Sequence, residues 1–241
     1  MKSIGTKNAG VRGRSSAPKS DTNEPALEAR DLYRFYHAGD DETLALRGVS
    51  ITVHRGEMVA VTGPSGSGKS TLLACFAGLD EPDGGVVRVG GETLSRRAES
   101  DRAALRAKAI GVLFQSANLV EHLSVIRNVE LAQQLCATQP RHSAAELLER
   151  LGLSERSNAR PSQLSGGETA RAGLAVAIAN DPVVLLADEP TGELDTTTAD
   201  RVLQLLRDRA DAGGAVIVVT HSAMVAAAAD REIQLLDGKI Q

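Results

Sequence analysis

A chain of 241 residues, 42% hydrophobic and 24% charged, has enough apolar material for one large or two small domains with a real core, which excludes whole-chain disorder. With 27 basic against 31 acidic residues, the net charge of −4 gives no general reason to bind nucleic acid, so any phosphate affinity must be local. No apolar run approaches the roughly 18 residues that a membrane span needs, and the N-terminus lacks the apolar core of a signal peptide.

Residues 1 to 24 are rich in Gly, Ser, Asn and basic side chains, and read as a disordered basic tail able to touch an anionic surface. Strand-like text begins at Ala26–Arg30 and Leu32–Tyr36, passes an acidic loop at 40 to 42, and continues as the alternating run Leu44–Val53. These strands predict an antiparallel β layer. The short strand Met58–Val61 then runs into Gly63-Pro64-Ser65-Gly66-Ser67-Gly68-Lys69-Ser70-Thr71, and a helix follows to Gly78. A Gly, four free positions and Gly-Lys-Ser between a strand and a helix form a phosphate loop. Gly63, Gly66 and Gly68 free the backbone to point amides at phosphate oxygens, Lys69 adds a cation, Ser70 offers a hydroxyl to Mg²⁺, and the helix presents its positive end.

Beyond the helix, Pro82–Gly85 is a turn, Val86–Val89 a strand, Glu99–Lys108 an exposed helix, and Ala109–Phe114 a buried strand ending at Gln115. Strands then give way to helices from about 117 to 160, with Leu147, Leu148 and Leu151 on one face closed by Gly152. Leu164-Ser165-Gly166-Gly167-Glu168 opens an apolar helix that runs on through Ala172–Ala179. Ser165 and Glu168 have capping-box spacing, and the paired glycines expose backbone at a positive helix end, which is a second anion site. One nucleotide uses both sites only if two chains face each other.

A regular β-α rhythm returns with Val183–Ala187, a helix from Thr196 to Ala212, Ala215–Thr220, another helix, and Ile233–Leu236, which implies a parallel sheet covered by helices on both faces. Asp188 and Glu189 end the first of these strands at the ligand edge of the sheet. The former is placed to hold Mg²⁺ through water, the latter to position or deprotonate an attacking water. His221 ends the Ala215–Thr220 strand at the same edge, and Gln115 ends another. Cys75 and Cys136 match no metal or redox spacing and read as buried reduced thiols of a cytosolic protein.

In this order the motifs resemble the nucleotide-binding subunit of ATP-binding cassette (ABC) transporters, over roughly residues 26 to 241. The resemblance implies a P-loop NTPase of α/β class, with a mostly parallel central sheet, an N-terminal antiparallel layer and a helical subdomain at about 117–180 inserted in a cassette of residues 25–241. It implies ATP and Mg²⁺ as ligands. Tyr36 would stack on adenine, Gly63 to Thr71 would hold the phosphates, and Ser70, Gln115 and Asp188 would organise Mg²⁺. Glu189 would be the general base and His221 would contact the γ-phosphate. Ser165 and Gly167 would bind ATP held by a second copy, with Asp195 at the dimer seam. Ala187-Asp188-Glu189-Pro190-Thr191-Gly192-Glu193-Leu194-Asp195 and Gly78-Leu79-Asp80 are similar to the branch with macrolide exporters, lipoprotein-releasing complexes and the cell-division ATPase. That branch implies an ATPase on the cytoplasmic face of the membrane, powering a separate permease with a large extracytoplasmic domain. The same residues would serve an ATPase that regulates a transmembrane complex without transport, or a soluble cassette. Departures from the family pattern at Thr169-Ala170, Val176, Arg127 and Ser222 touch the coupling surface and remove no catalytic group.

Overall fold

The computed structural model describes residues 24–38, 41–115, 118–192 and 194–241, and at 37, 38, 41 and 42 the backbone alone. The expected basic tail lies outside them, apart from Glu24.

The two strand-like runs at the start form one strand, β1 (Pro25–Ala38), paired antiparallel with β2 (Asp41–His54). Asp31 separates the runs because it takes φ of 50° and the register shifts between Ala29 and Leu32. An extra residue at such a bulge lets Ala29 and Leu32 both point inward despite their odd spacing, and both are buried. Asp41 and Glu42, expected in a loop, pair with Ala38 and His37 at the start of β2. With β4 (Gly84–Val89) and β5 (Glu92–Thr93) these strands form a four-stranded antiparallel sheet in the order β2-β1-β4-β5.

The second sheet has six strands in the order β10-β9-β3-β8-β7-β6. Its centre is β3 (Met58–Thr62), parallel to β8 (Ala215–Val219) on one side and β9 (Arg231–Leu236) on the other. Beyond β8 lie β7 (Val184–Asp188) and β6 (Ile110–Leu113), also parallel, while β10 (Lys239–Ile240) turns back antiparallel on β9. Alternation along β8 divides the core. Ala215, Ile217 and Val219 pack with the antiparallel sheet and with helices α1 (Lys69–Phe76) and α2 (Glu99–Ala109), whereas Val216 and Val218 pack toward the helices of the other face. One face of the parallel sheet is therefore closed largely by β-structure rather than by helices alone.

Between β6 and β7 no strand occurs among the described residues. The chain instead forms α3 (Val125–Gln134), α4 (Ala144–Arg150), two short 3₁₀ turns and α5 (Gly166–Ala177). Leu147 and Leu148 of α4 are buried with Val125 and Val129 of α3 and Leu174 of α5. The chain then returns through α6 (Thr196–Asp211) and α7 (Ala223–Ala228). Cys75 and Cys136 are buried and free, and burial pushes the Cys75 thiol up to about 12.

Candidate functional site

Because β3, β6, β7 and β8 run parallel, the segments that leave them share one edge of the sheet. That edge carries the loop 63–68, Gln115, Asp188 with Glu189, and His221. A cleft of about 520 Å³ opens there, lined among others by Tyr36, Ser65, Gly66, Gly68, Lys69, Ser70, Thr71, Gln115, Asp188 and Glu189. Residues far apart in sequence thus meet at one place, as the strand ends predict.

Gly63 leaves β3 with φ of 149°, and a side chain there would collide with the Leu235 carbonyl of β9. Lys69 folds back so that Nζ donates to the carbonyls of Gly63 at 2.8 Å and Pro64 at 2.9 Å. The lysine thereby closes the loop that it belongs to. Within the loop predicted to hold the phosphates, the Ser67 amide donates to the Pro64 carbonyl, and the Ser67 carbonyl accepts from the Gly238 amide. Ser67 is buried.

Glu189 stands just past β7 with φ of 46°, its amide donating to the Val219 carbonyl at 2.9 Å. This twist separates its side chain from that of Asp188. One carboxylate oxygen accepts from the Thr220 hydroxyl at 3.1 Å, and the other lies 2.7 Å from His221 Nδ1. A carboxylate only accepts, so Nδ1 carries the proton in this pair and Nε2 is left toward solvent on a ring that is 75% exposed. Thr220 went unnoticed in the sequence because a threonine closing a strand looks like a β-former.

The neighbouring carboxyl differs. Burial, and then the charge of Glu189, hold Asp188 above the usual carboxylate range, with Lys69 opposing them. Lys69 thus only partly offsets burial and the Glu189 charge, and a divalent cation would favour the ionised carboxylate further. The donor set fits Mg²⁺ in that Ser70, Gln115 and Asp188 line one cleft with a single carboxylate of their own. Mg²⁺ is commonly held by one or two carboxylates together with phosphate oxygens rather than by an all-protein cage. No cluster of three or more His, Cys, Asp or Glu suited to a metal occurs among the described residues.

Tyr36 lines the same cleft, 40% exposed, and its hydroxyl donates to Asp80 at 2.7 Å. Leu44, Ala45, Arg47 and Asp237 also line it. Their types carried no signal, since backbone course alone brings them there.

Ser165, Gly167 and Asp195 stand apart from this cleft. Ser165 caps α5 by accepting from the Glu168 amide at 3.3 Å, while Glu168 accepts from the Ser165 amide at 2.8 Å, the capping box that the spacing predicts. Asp195 caps α6, accepting from the Thr198 amide at 3.1 Å and hydroxyl at 2.6 Å. Gly167 has a packing reason beside any anion-binding one, because a Cβ there would collide with the Thr198 methyl group. We expect Gly167→Ala to destabilise the fold by roughly 1–3 kcal/mol through overpacking. Adding Thr198→Ser, which removes that methyl group, should restore most of the loss in urea unfolding. An equal loss in the single and double variants would refute the contact as the cause.

The family model described as ABC transporter matches residues 46–192. Among curated relatives, the macrolide export ATP-binding/permease protein MacB of Hyphomonas neptunium is 43% identical over 219 residues, covering 90% of this chain and 34% of that protein. MacB of Bordetella avium is 45% identical over 221 residues with the same coverage. The chain therefore spans about a third, 34%, of these relatives' length. An uncharacterized ABC transporter ATP-binding protein of Thermotoga maritima is 43% identical over 218 residues, which cover 89% of this chain and 93% of that one. Among solved structures, the ATP-binding cassette MJ0796 in a dimeric post-hydrolysis state bound to ADP and Pi superposes with a TM-score of 0.82 at 34% identity, over 89% of this chain and 96% of that chain.

Proposed function

The chain belongs to the ABC transporter family as an ATPase cassette, and from that premise we propose that it binds and hydrolyses ATP as half of a two-cassette motor driving a membrane permease. The observation that carries this reading is the shared cleft, which gathers the phosphate loop, Gln115, Asp188 and Glu189 at one sheet edge.

Residues 25–241 act as one cassette, with 117–180 as its helical subdomain. The amides of the loop and the Lys69 ammonium hold the triphosphate, and Tyr36 receives the adenine. Bound with the nucleotide at Ser70, Gln115 and Asp188, Mg²⁺ would neutralise developing phosphate charge. Glu189 accepts a proton from a water that attacks the γ-phosphorus; the bond to the β-bridging oxygen breaks, and ADP and phosphate leave. Thr220 and His221 fix the carboxylate for this step, and His221 contacts the γ-phosphate, a hydrogen bond that needs a proton on Nε2.

Ser165 and Gly167 lie outside the cleft of their own chain, so they act on ATP held by a second copy, with Asp195 at the seam between them. The dimeric state of the MJ0796 cassette supports this arrangement. For the permease, the MacB names combine both functions in one long chain, whereas the Thermotoga relative is an ATP-binding protein of similar length; the latter supports a permease on a separate chain. No helix among the described residues is long and apolar enough to cross a membrane. In this reading the cassette sits on the cytoplasmic face, held by its partner, and the cargo is a drug, peptide or lipoprotein to be moved outward.

Purification from membranes in mild detergent tests the coupling. A polytopic membrane protein should accompany the chain in fixed ratio and raise its ATPase rate; a chain recovered wholly free of membrane proteins, with unchanged activity, would overturn it.

A further inference from the structure

Tyr36 is anchored more firmly than a half-exposed stacking ring requires. Besides the bond from its hydroxyl to Asp80, its face is covered by Arg34, whose guanidinium carbon lies 4.7 Å from the ring centroid. Tyr36 lines the cleft and Arg34 is not among the residues that line it, so the guanidinium supports the ring from outside that lining. Arg34 in turn grips both oxygens of Asp80, at 2.9 and 2.8 Å, and reaches Asp83 at 3.0 Å. Asp83 also accepts from the Phe35 amide at 2.8 Å, which fixes the strand between Arg34 and Tyr36. The side chains of Arg34 and Asp80 are only 21% and 22% exposed. Arg34 and Tyr36 hold the Asp80 carboxyl below the usual carboxylate range against its own burial, so the anion is what binds them.

Asp80 is itself fixed to the phosphate-loop helix. Its amide and that of Leu79 both donate to the Ala74 carbonyl, at 3.2 and 2.9 Å, closing the C-terminal end of α1. The other end of α1 begins at Lys69. One helix of eight residues, about 12 Å long by its rise per residue, thus carries the phosphate loop at its start and the anchor of Tyr36 just past its end.

We propose that Asp80 and Arg34 are positioning residues for the base of the bound nucleotide: they lock the ring of Tyr36 and tie it through α1 to the phosphate loop, so the nucleoside is held at a set distance from the phosphates. The inference rests on the reading of Tyr36 as the adenine platform. Released from Asp80, the ring would regain rotamer freedom that each bound nucleotide must then remove, a cost paid in affinity for the base and not for the phosphates.

The test compares binding of ATP-Mg²⁺ with binding of Mg²⁺-tripolyphosphate, which has no base, in the full chain. Asp80→Asn and Tyr36→Phe, which keeps a ring able to stack, should each weaken ATP by roughly five- to tenfold. Tripolyphosphate binding should stay within about twofold, and in turnover the loss should fall on KM. Tyr36→Ala should cost at least as much, and adding Asp80→Asn to it should cost nothing further. If Tyr36→Ala weakens ATP while Asp80→Asn and Tyr36→Phe bind it as the unaltered chain does, the positioning role is wrong and the platform stands. If Tyr36→Ala leaves ATP affinity intact, the platform fails and the inference with it. Equal weakening of ATP and tripolyphosphate would make Asp80 a support of the fold and overturn the proposal.

Discussion

Glu189→Gln is expected to lower ATP turnover by about 10²- to 10³-fold while leaving nucleotide binding in place, so that the protein accumulates as an ATP-bound dimer. The magnitude follows from the loss of one positioned base, commonly a factor of 10²–10⁴. Shape is retained, since an amide fills the volume of a carboxylate. Its hydrogen bonding is not. Both oxygens of Glu189 now accept, one from Thr220 and one from His221; an amide presents one acceptor and one donor group, so one of those partners must turn its own proton away. His221 can do this by changing tautomer, and the variant then keeps its geometry without a group able to take a proton from water. Sedimentation in saturating ATP-Mg²⁺ should show twice the mass of the nucleotide-free chain. A variant that stays monomeric under those conditions speaks against Ser165 and Gly167 of one copy closing over the ATP of another.

The local elements of this site were legible in the sequence wherever a residue type is needed for backbone reasons. Glycines at 63, 66 and 68 take positive φ, of 149°, 78° and 102°, and the Ser165–Glu168 box forms as its spacing requires. The strand ends were legible as well, because continuous apolar runs mark buried parallel strands and their polar terminators stand out against them. Less visible were features created by two distant segments. Gly167 looked like an opening for an anion, yet it also answers the Thr198 methyl group one helix away, a contact that periodicity cannot reveal. Asp80 stood in the motif with no assigned work, because its partners Arg34 and Tyr36 belong to a strand 44 or more positions away. The break at Asp31 suggested two strands for a related reason. A bulge is a change of register against a partner, and one strand's sequence shows only that the alternation slips.

Lys69→Ala should abolish tight nucleotide binding, with a loss of about 30-fold or more in ATP affinity by calorimetry, while the fold melts within a few degrees of the unaltered chain. The affinity estimate rests on removing one partner of a close charge pair in a part-enclosed site, worth about 2–5 kcal/mol. Two effects act together. The ammonium that would meet phosphate is lost, and so is the bridge from Nζ to the Gly63 and Pro64 carbonyls that gives the loop its closed form. Gly63 is part-exposed and Pro64 exposed, so their carbonyls can turn to water, which is why the penalty falls on binding rather than on folding. Asp188 reports the same change. Lys69 is the group that opposes the rise of its carboxyl, so the rise should be larger in the variant and the demand of the site for a cation greater. Arginine is not expected to rescue the site: a planar fork cannot place one compact charge between two carbonyls that lie 2.8 and 2.9 Å from Nζ. ATP binding by Lys69→Ala within threefold of the unaltered chain would mean that the loop amides alone hold the triphosphate, and the lysine would then be only the latch of its own loop.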